Sequence, residues 1–222
     1  MGHVKRHFAE FIGTFMLIFF GAGAALQQHA TQTVGTTGIA VAHGLAILIG
    51  VYAFGHVSGA HFNPCVTFGF LVTKRISFGH AVNYWIAQLV GASVAAWVLY
   101  AAYHGGPADA HLGAPAVDPT IGSGMAAFLE GIMAFMLVIV IFGSAVDPRA
   151  PKGFAGLAIG LTLTANILFG GALTGASFNP ARAFGPSLLA GYWQDQWVYW
   201  VGPLVGGAVA ALVYDRFFLE RA

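Results

Sequence analysis

Thr174 to Gly185 reads T-G-A-S-F-N-P-A-R-A-F-G, and Ser58 to Gly69 reads S-G-A-H-F-N-P-C-V-T-F-G. Seven of the twelve positions are identical, with Gly-Ala before and Phe-Gly after a shared Phe-Asn-Pro. Both copies lie in very apolar sequence, where Asn and Pro would interrupt a continuous helix. Proline suits the first turn of a helix, where its missing N–H costs nothing. A preceding Asn can cap the bare N–H groups of that turn. Each copy therefore predicts a chain that enters a membrane, turns, and starts a short helix at Pro64 or Pro180. The two apolar pieces, about Pro64–Val72 and Pro180–Ala190, reach only about half of a ~30 Å hydrocarbon core at ~1.5 Å per residue. They are half-helices.

The surrounding composition agrees. The 222 residues are 58% hydrophobic and 8% charged, where soluble domains carry about 25% charged residues. Mean hydropathy is +0.76. A soluble globule is excluded, and at ~20 residues per span there is room for about six spans. With a net charge of +1 and no basic run, nothing points to nucleic acid. Cys65 is the only cysteine, so no internal disulfide forms. Lys5 and Arg6 before the apolar Phe11–Phe20, with Ala22-Gly23-Ala24 after it, resemble a secretory signal. Glu10 breaks that pattern and the segment has a counterpart later in the chain, so it reads as the first span.

Spans are expected near Phe8–Leu26, Thr37–Phe54, Val82–Tyr103, Met125–Ala145, Gly153–Phe169 and Trp197–Phe218. The repeat extends across them. Glu10, Phe15-Met16-Leu17 match Glu130, Phe135-Met136-Leu137, and Tyr84-Trp85 through Val94-Ala95-Ala96 match Tyr199-Trp200 through Val209-Ala210-Ala211. The expected architecture is all-α: a single channel-like domain with repeat one at about 8–104 and repeat two at about 125–218. Each unit holds three full spans, an odd number, so the second lies upside down and the half-helices meet at the midplane. Lys5, Arg6, Lys74, Arg75, Arg149, Lys152, Arg216 and Arg221 fall on one side of this model, which positive charge marks as cytoplasmic. The loops near 27–36 and 104–124 contain no Lys or Arg. Both termini are thus expected in the cytoplasm, and their shortness favours the plasma membrane. The ninth cation, Arg182, is left inside the membrane.

Over essentially its whole length the sequence resembles the aquaporin (major intrinsic protein) family. The resemblance rests on Asn63-Pro64-Cys65 and Asn179-Pro180-Ala181, on A-E-F-I-G-T-F near the start, and on N-P-A-R-A-F-G-P. It implies a homotetramer in lipid with one pore per subunit, passing water and excluding protons and ions without a cofactor. The resemblance implies a channel and not an enzyme.

Irregular backbone at membrane depth is tolerated where it lines a wet cavity. Gly59-Ala60-His61 and Gly175-Ala176-Ser177 are expected to run extended and expose carbonyls there. Asn63 and Asn179 would each offer an NH2 donor at the centre, where both half-helices point their positive ends. A water held there accepts twice and donates nothing, so it relays no proton. The asparagines can serve as caps as well. Arg182 is costly in a membrane unless it faces a cavity or partner. The resemblance makes it one wall of an outer constriction, with His43, Ile167 and Ala176 as the others. This His–Ile–Ala–Arg set departs from strict water channels and looks like that of some plant tonoplast intrinsic proteins, so ammonia, urea or hydrogen peroxide join water as candidate solutes. A glycerol facilitator of the same fold is less favoured, because Ala183 stands where those proteins have Asp.

Cys65 reads as a small apolar filler, with a pore-adjacent thiol as the rival reading. Glu10 and Glu130 are read as supports for the two re-entrant loops, and a proton relay is the rival. His61 is expected in the inner vestibule. His56 and His61 match no usual metal spacing. His104 and His111 lie in the long outer loop, solvated or folded over the constriction. Gly156/Gly160 and Gly202/Gly206 are spaced for close helix packing. A coupled transporter of similar architecture would need midplane carboxylates free to bind ions.

Overall fold

The computed structural model describes residues 2–104 and 108–220; Arg221 lies outside them. Eight helices follow in order: α1 Gly2–Thr31, α2 Gly35–Ser58, α3 Pro64–Val72, α4 Phe78–Ala102, α5 Gly122–Ile141, α6 Ala155–Thr174, α7 Pro180–Ala190 and α8 Val198–Val213. Six are long and apolar enough to cross a membrane. The other two, α3 and α7, are the half-helices, and both have the expected bounds. Their starts are fixed locally. Asn63 and Asn179 are the N-caps, with Pro64 and Pro180 at the first helical position.

Several spans run further than expected. α1 continues through polar Gln27–Thr31, and α6 passes Gly170-Gly171 to end at Thr174. A glycine pair inside a buried helix weakens it without stopping it. What stops α2 and α6 is the left-handed backbone of Gly59 (φ 91°) and Gly175 (φ 77°), a conformation glycine takes without steric cost. The ends of α5 and α8 widen into π turns at Phe142–Val146 and Tyr214–Phe218, which hydropathy alone does not reveal.

The helices pack mainly as α1 with α2 and α4, α5 with α8, and α2 with α6. Small residues allow these crossings. A Cβ at Gly91 would lie 2.4 Å from the Phe11 carbonyl, and one at Gly206 would lie 1.9 Å from that of Gly131. Those contacts are equivalent in the two repeats. At the α2–α6 crossing, Gly44 and Gly160 face each other, and a Cβ on either would come within 2.7 Å of the other's carbonyl oxygen. Close backbone approach through small residues is how helices associate where lipid removes the hydrophobic drive.

One end of the bundle gathers the charges. Arg75, after α3, pairs with Asp215 at the end of α8 at 2.8 Å. Arg149, after α5, pairs with Asp147 and with Glu220 (2.6 Å each) and donates to the Phe218 carbonyl.

Candidate functional site

The two Asn-Pro turns meet at their tips. Asn63 Nδ2 donates to the Phe178 carbonyl at 3.0 Å, and Asn179 Nδ2 donates to the Phe62 carbonyl at 3.0 Å. Each side-chain oxygen accepts from its own half-helix: Asn63 Oδ1 from Cys65 N, Asn179 Oδ1 from Ala181 N and Arg182 N. Those acceptor bonds fix which end of each amide is oxygen. An NH2 group has two hydrogens, so each amide keeps one uncommitted. Capping and donation coexist.

The stretches before the asparagines are not extended as expected. Gly59, Ala60 and Phe62 have φ of 91°, 51° and 48°; Gly175, Ala176 and Phe178 have 77°, 42° and 32°. Left-handed backbone at non-glycine residues costs on the order of 1–3 kcal/mol each and persists only where surroundings over-determine it. Buried Glu10 and Glu130 do that. Glu10 accepts from Ser58 Oγ, His61 N, Phe62 N and Gln88 Nε2 at 2.7–2.9 Å. Glu130 accepts from Thr174 Oγ1, Ser177 N and Phe178 N. Tyr84 and Tyr199 hydroxyls clamp the carbonyls of Ser58 and Thr174 at 2.7 and 2.8 Å. Four donors on Glu10 and three on Glu130, all from the loops or the helices that hold them, support the loop-support reading over a proton relay. Gln88, Ser58, Thr174 and the tyrosine hydroxyls escaped sequence reasoning. The repeat had aligned Tyr84 with Tyr199, but only the fold shows what their hydroxyls reach.

A cavity of about 460 Å³ runs from Asp147 and Lys152 past His61, Asn63 and Asn179 to His43, Ile167, Ala176 and Arg182. A second, about 340 Å³, continues beyond, between His29, Thr36, Pro115 and Gly175. The two share His43, Ile167 and Arg182. The sequence-expected set is thus brought together where the cavities join. Ile47, Val51, Val66 and Leu163 form apolar wall that sequence reasoning did not single out.

Arg182 is 5% exposed; its Nη1 donates to the Gly113 carbonyl at 2.8 Å, while Nε has no protein partner. His43 Nδ1 lies 2.9 Å from the Ile39 carbonyl. A carbonyl only accepts, so Nδ1 carries the proton. Nε2 is buried without a partner, an acceptor packed against Gly21 on a cavity that Arg182 also lines. The backbone satisfies only half of this ring. His61 repeats the pattern. Thr67 Oγ1 donates to the Asn63 carbonyl and accepts from Gln88, so His61 Nδ1 donates to it at 3.0 Å.

Other expectations fare differently. Cys65 is fully buried, off both cavities, and faces Gly207, as a filler would. The outer loop does fold over the junction, but through Gly113. His111 stacks on Tyr192 at 4.0 Å, His104 is exposed, and neither lines a cavity. Among the described residues no group of three or more His, Cys, Asp or Glu could hold a metal.

The model of the family described as major intrinsic protein matches residues 1–214. The chain belongs to the major intrinsic protein family. Among its relatives, the protein named Aquaporin TIP1-2 from Zea mays is 43% identical over 98% of this chain and 87% of its own length. The one named Probable aquaporin TIP-type alpha from Phaseolus vulgaris is 44% identical over 96% and 84%. Among solved structures, the aquaglyceroporin from Plasmodium falciparum superposes with a TM-score of 0.86, at 28% identity over 97% of this chain and 96% of that one. This member of the major intrinsic protein family is therefore an integral, multi-pass membrane protein. Its relatives carry TIP names, and those names lend no support to the expected plasma-membrane placement.

Proposed function

We propose that this chain is a passive water channel whose path is the pair of cavities joined at His43, Ile167, Ala176 and Arg182. The observation that carries the reading is that junction, with the spare amide hydrogens of Asn63 and Asn179 on the same path. Arg182 and the two half-helix N-termini make the interior positive and repel cations and protons. No reaction is catalysed. The single domain is read as two inverted repeats, about 8–104 and 125–218, assembled as a homotetramer in lipid with both termini cytoplasmic. Arg75 and Arg149, held at one end by their acidic partners, support that orientation.

Ammonia, urea and hydrogen peroxide are proposed as further solutes. His43 and Arg182 line one junction, each with an unpartnered nitrogen, which suits a small neutral molecule that both donates and accepts, and Ile167 adds no competing polar group. Glycerol conduction is less favoured. Ala183 is fully buried in a cluster with Ala126, Val198 and Tyr199, where an Asp would lose its hydration. A coupled transporter is not supported either, because among the described residues the one carboxylate lining the path, Asp147, is held by Arg149 and Tyr214.

Stopped-flow light scattering on proteoliposomes tests this, comparing water with ammonia, urea and glycerol in the native and Arg182→Val proteins. Fast, low-activation-energy water flow with ammonia or urea entry is expected. Water flow no faster than through empty vesicles overturns the channel reading.

A further inference from the structure

We propose that the N-terminal ends of α1 and α4 form a binding site for an anionic glycerophospholipid, beside the inner end of the water path. Two adjoining features carry it. The first is a pocket of about 320 Å³ lined by Arg6, Arg75, Ser77, His80 and Tyr84, with Gly59, His61 and Phe70 shared with the larger cavity, and by no acidic side chain. Arg75 is already paired with Asp215, but Arg6 has no ion-pair partner among the described residues. His3 and His7 lie beside it, their rings 4.5 and 5.9 Å from that of His80, and His7 Nε2 is buried without a partner. With the Tyr84 hydroxyl committed to Ser58, Arg6, the Ser77 hydroxyl and the histidine rings remain as donors and Arg6 as a positive charge unpaired among the described residues, the chemistry that takes a phosphate.

The second feature is an apolar groove of about 450 Å³ on the membrane face of the same two helices, between Val4, Phe8 and Phe11 of α1 and Ile86, Ala87 and Val90 of α4. His7 lines it too, at the boundary with the basic pocket. Ile86 and Val90 also line the next groove, which continues to Trp97 and Phe184. From Asn83 to Trp97 the helix rises about 21 Å, more than the half of a ~30 Å core that one leaflet fills. A basic pocket neighbouring a groove of acyl-chain length, with the His7 ring of the groove 5.9 Å from those of His80 and Tyr84 in the pocket, fits a phosphate headgroup with its own chain below it, and basic pockets between membrane helices recognise such headgroups. A soluble anion would use the pocket and leave the groove empty.

Native mass spectrometry of the detergent-purified protein tests this, with phosphatidylglycerol and phosphatidylcholine of identical acyl chains. Phosphatidylglycerol is expected to bind roughly tenfold more tightly. Arg6→Gln should remove that preference, Ala87→Trp should weaken both lipids by filling the groove, and Arg216→Gln, away from the pocket, should change neither. Equal binding of the two lipids overturns the proposal, as does an unchanged preference in Arg6→Gln. Displacement of phosphatidylglycerol by inorganic phosphate, with Ala87→Trp silent, overturns the lipid assignment in favour of a free-anion site.

Discussion

Asn63 and Asn179 each cap one half-helix and donate to the carbonyl just before the other asparagine, so each loop is held partly by its counterpart. Neither half-helix is placed without the other. Asn63→Ala loses a cap, worth about 0.5–2 kcal/mol, and leaves the buried Phe178 carbonyl unsatisfied, at about 1–3 kcal/mol. A clear drop in unfolding temperature in detergent is expected. Asn63→Asp keeps the acceptor that caps α3 but turns the donor into a buried oxygen that faces the Phe178 carbonyl, so it should destabilise at least as much as Asn63→Ala. Thermal unfolding of the three proteins at one scan rate checks the order.

The two glutamates are equivalent by repeat and unequal by environment. Glu10 accepts four hydrogen bonds and Glu130 three, because the α8 position matching Gln88 is Pro203. Substitution by Gln turns one acceptor oxygen into a donor that faces donors. Each bare buried group costs about 1–3 kcal/mol. Glu10→Gln and Glu130→Gln should both destabilise strongly, and Gln88→Met should soften the Glu10→Gln penalty by removing one opposed donor. A double-mutant cycle on Glu10 and Gln88 measures that coupling; strictly additive losses would show that the pair acts independently.

The half-helices were legible in the sequence because their determinants are local: an Asn cap, a Pro at the first position, and a repeat that shows both twice. Arg182, His43, Ile167 and Ala176 could be grouped from the family resemblance alone, although they come from three segments. Other contributions are set by contacts distant in sequence. Gly113 offers Arg182 a carbonyl from 69 residues away, and nothing about a loop glycine announces that. The loops before the asparagines looked extended because no residue but Gly59 and Gly175 signals positive φ. Ala60, Phe62, Ala176 and Phe178 are held there by Glu10 and Glu130 against their own preference. The end of α6 was misplaced for the opposite reason, since Gly170-Gly171 looks like a stop and tertiary packing carries the helix through it.

His43 gives a solute-selective prediction. His43→Phe removes the bare Nε2 and leaves the Arg182 donor in place. A net hydrogen bond is worth about 0.5–1.5 kcal/mol, so ammonia entry should fall by roughly two- to tenfold while water flow continues. Stopped-flow measurement of both solutes on the same vesicles provides the check. Equal losses for water and ammonia would mean that the ring acts by bulk alone.

Asp147 gives a pH prediction at the charged end. It accepts from Arg149 through backbone and guanidinium and from the Tyr214 hydroxyl, and these bonds hold its carboxyl well below the usual carboxylate range. A lowered value in the folded protein means that the contribution is present above the unfolded value, about 3.9, and is lost only as pH falls through the folded one. Arg149 also reaches Phe218 and Glu220, so this carboxylate ties the loop after α5 to the C-terminal turn. Hydrogen exchange at Asp147 and Leu219, whose N–H groups close the two π turns, should stay protected from pH 7 down to about 4, once corrected for intrinsic exchange. In Asp147→Asn, protection should already be reduced at pH 7 and show no further carboxylate-linked change. Equal protection in the two proteins at pH 7 would show that the turns hold without the carboxylate.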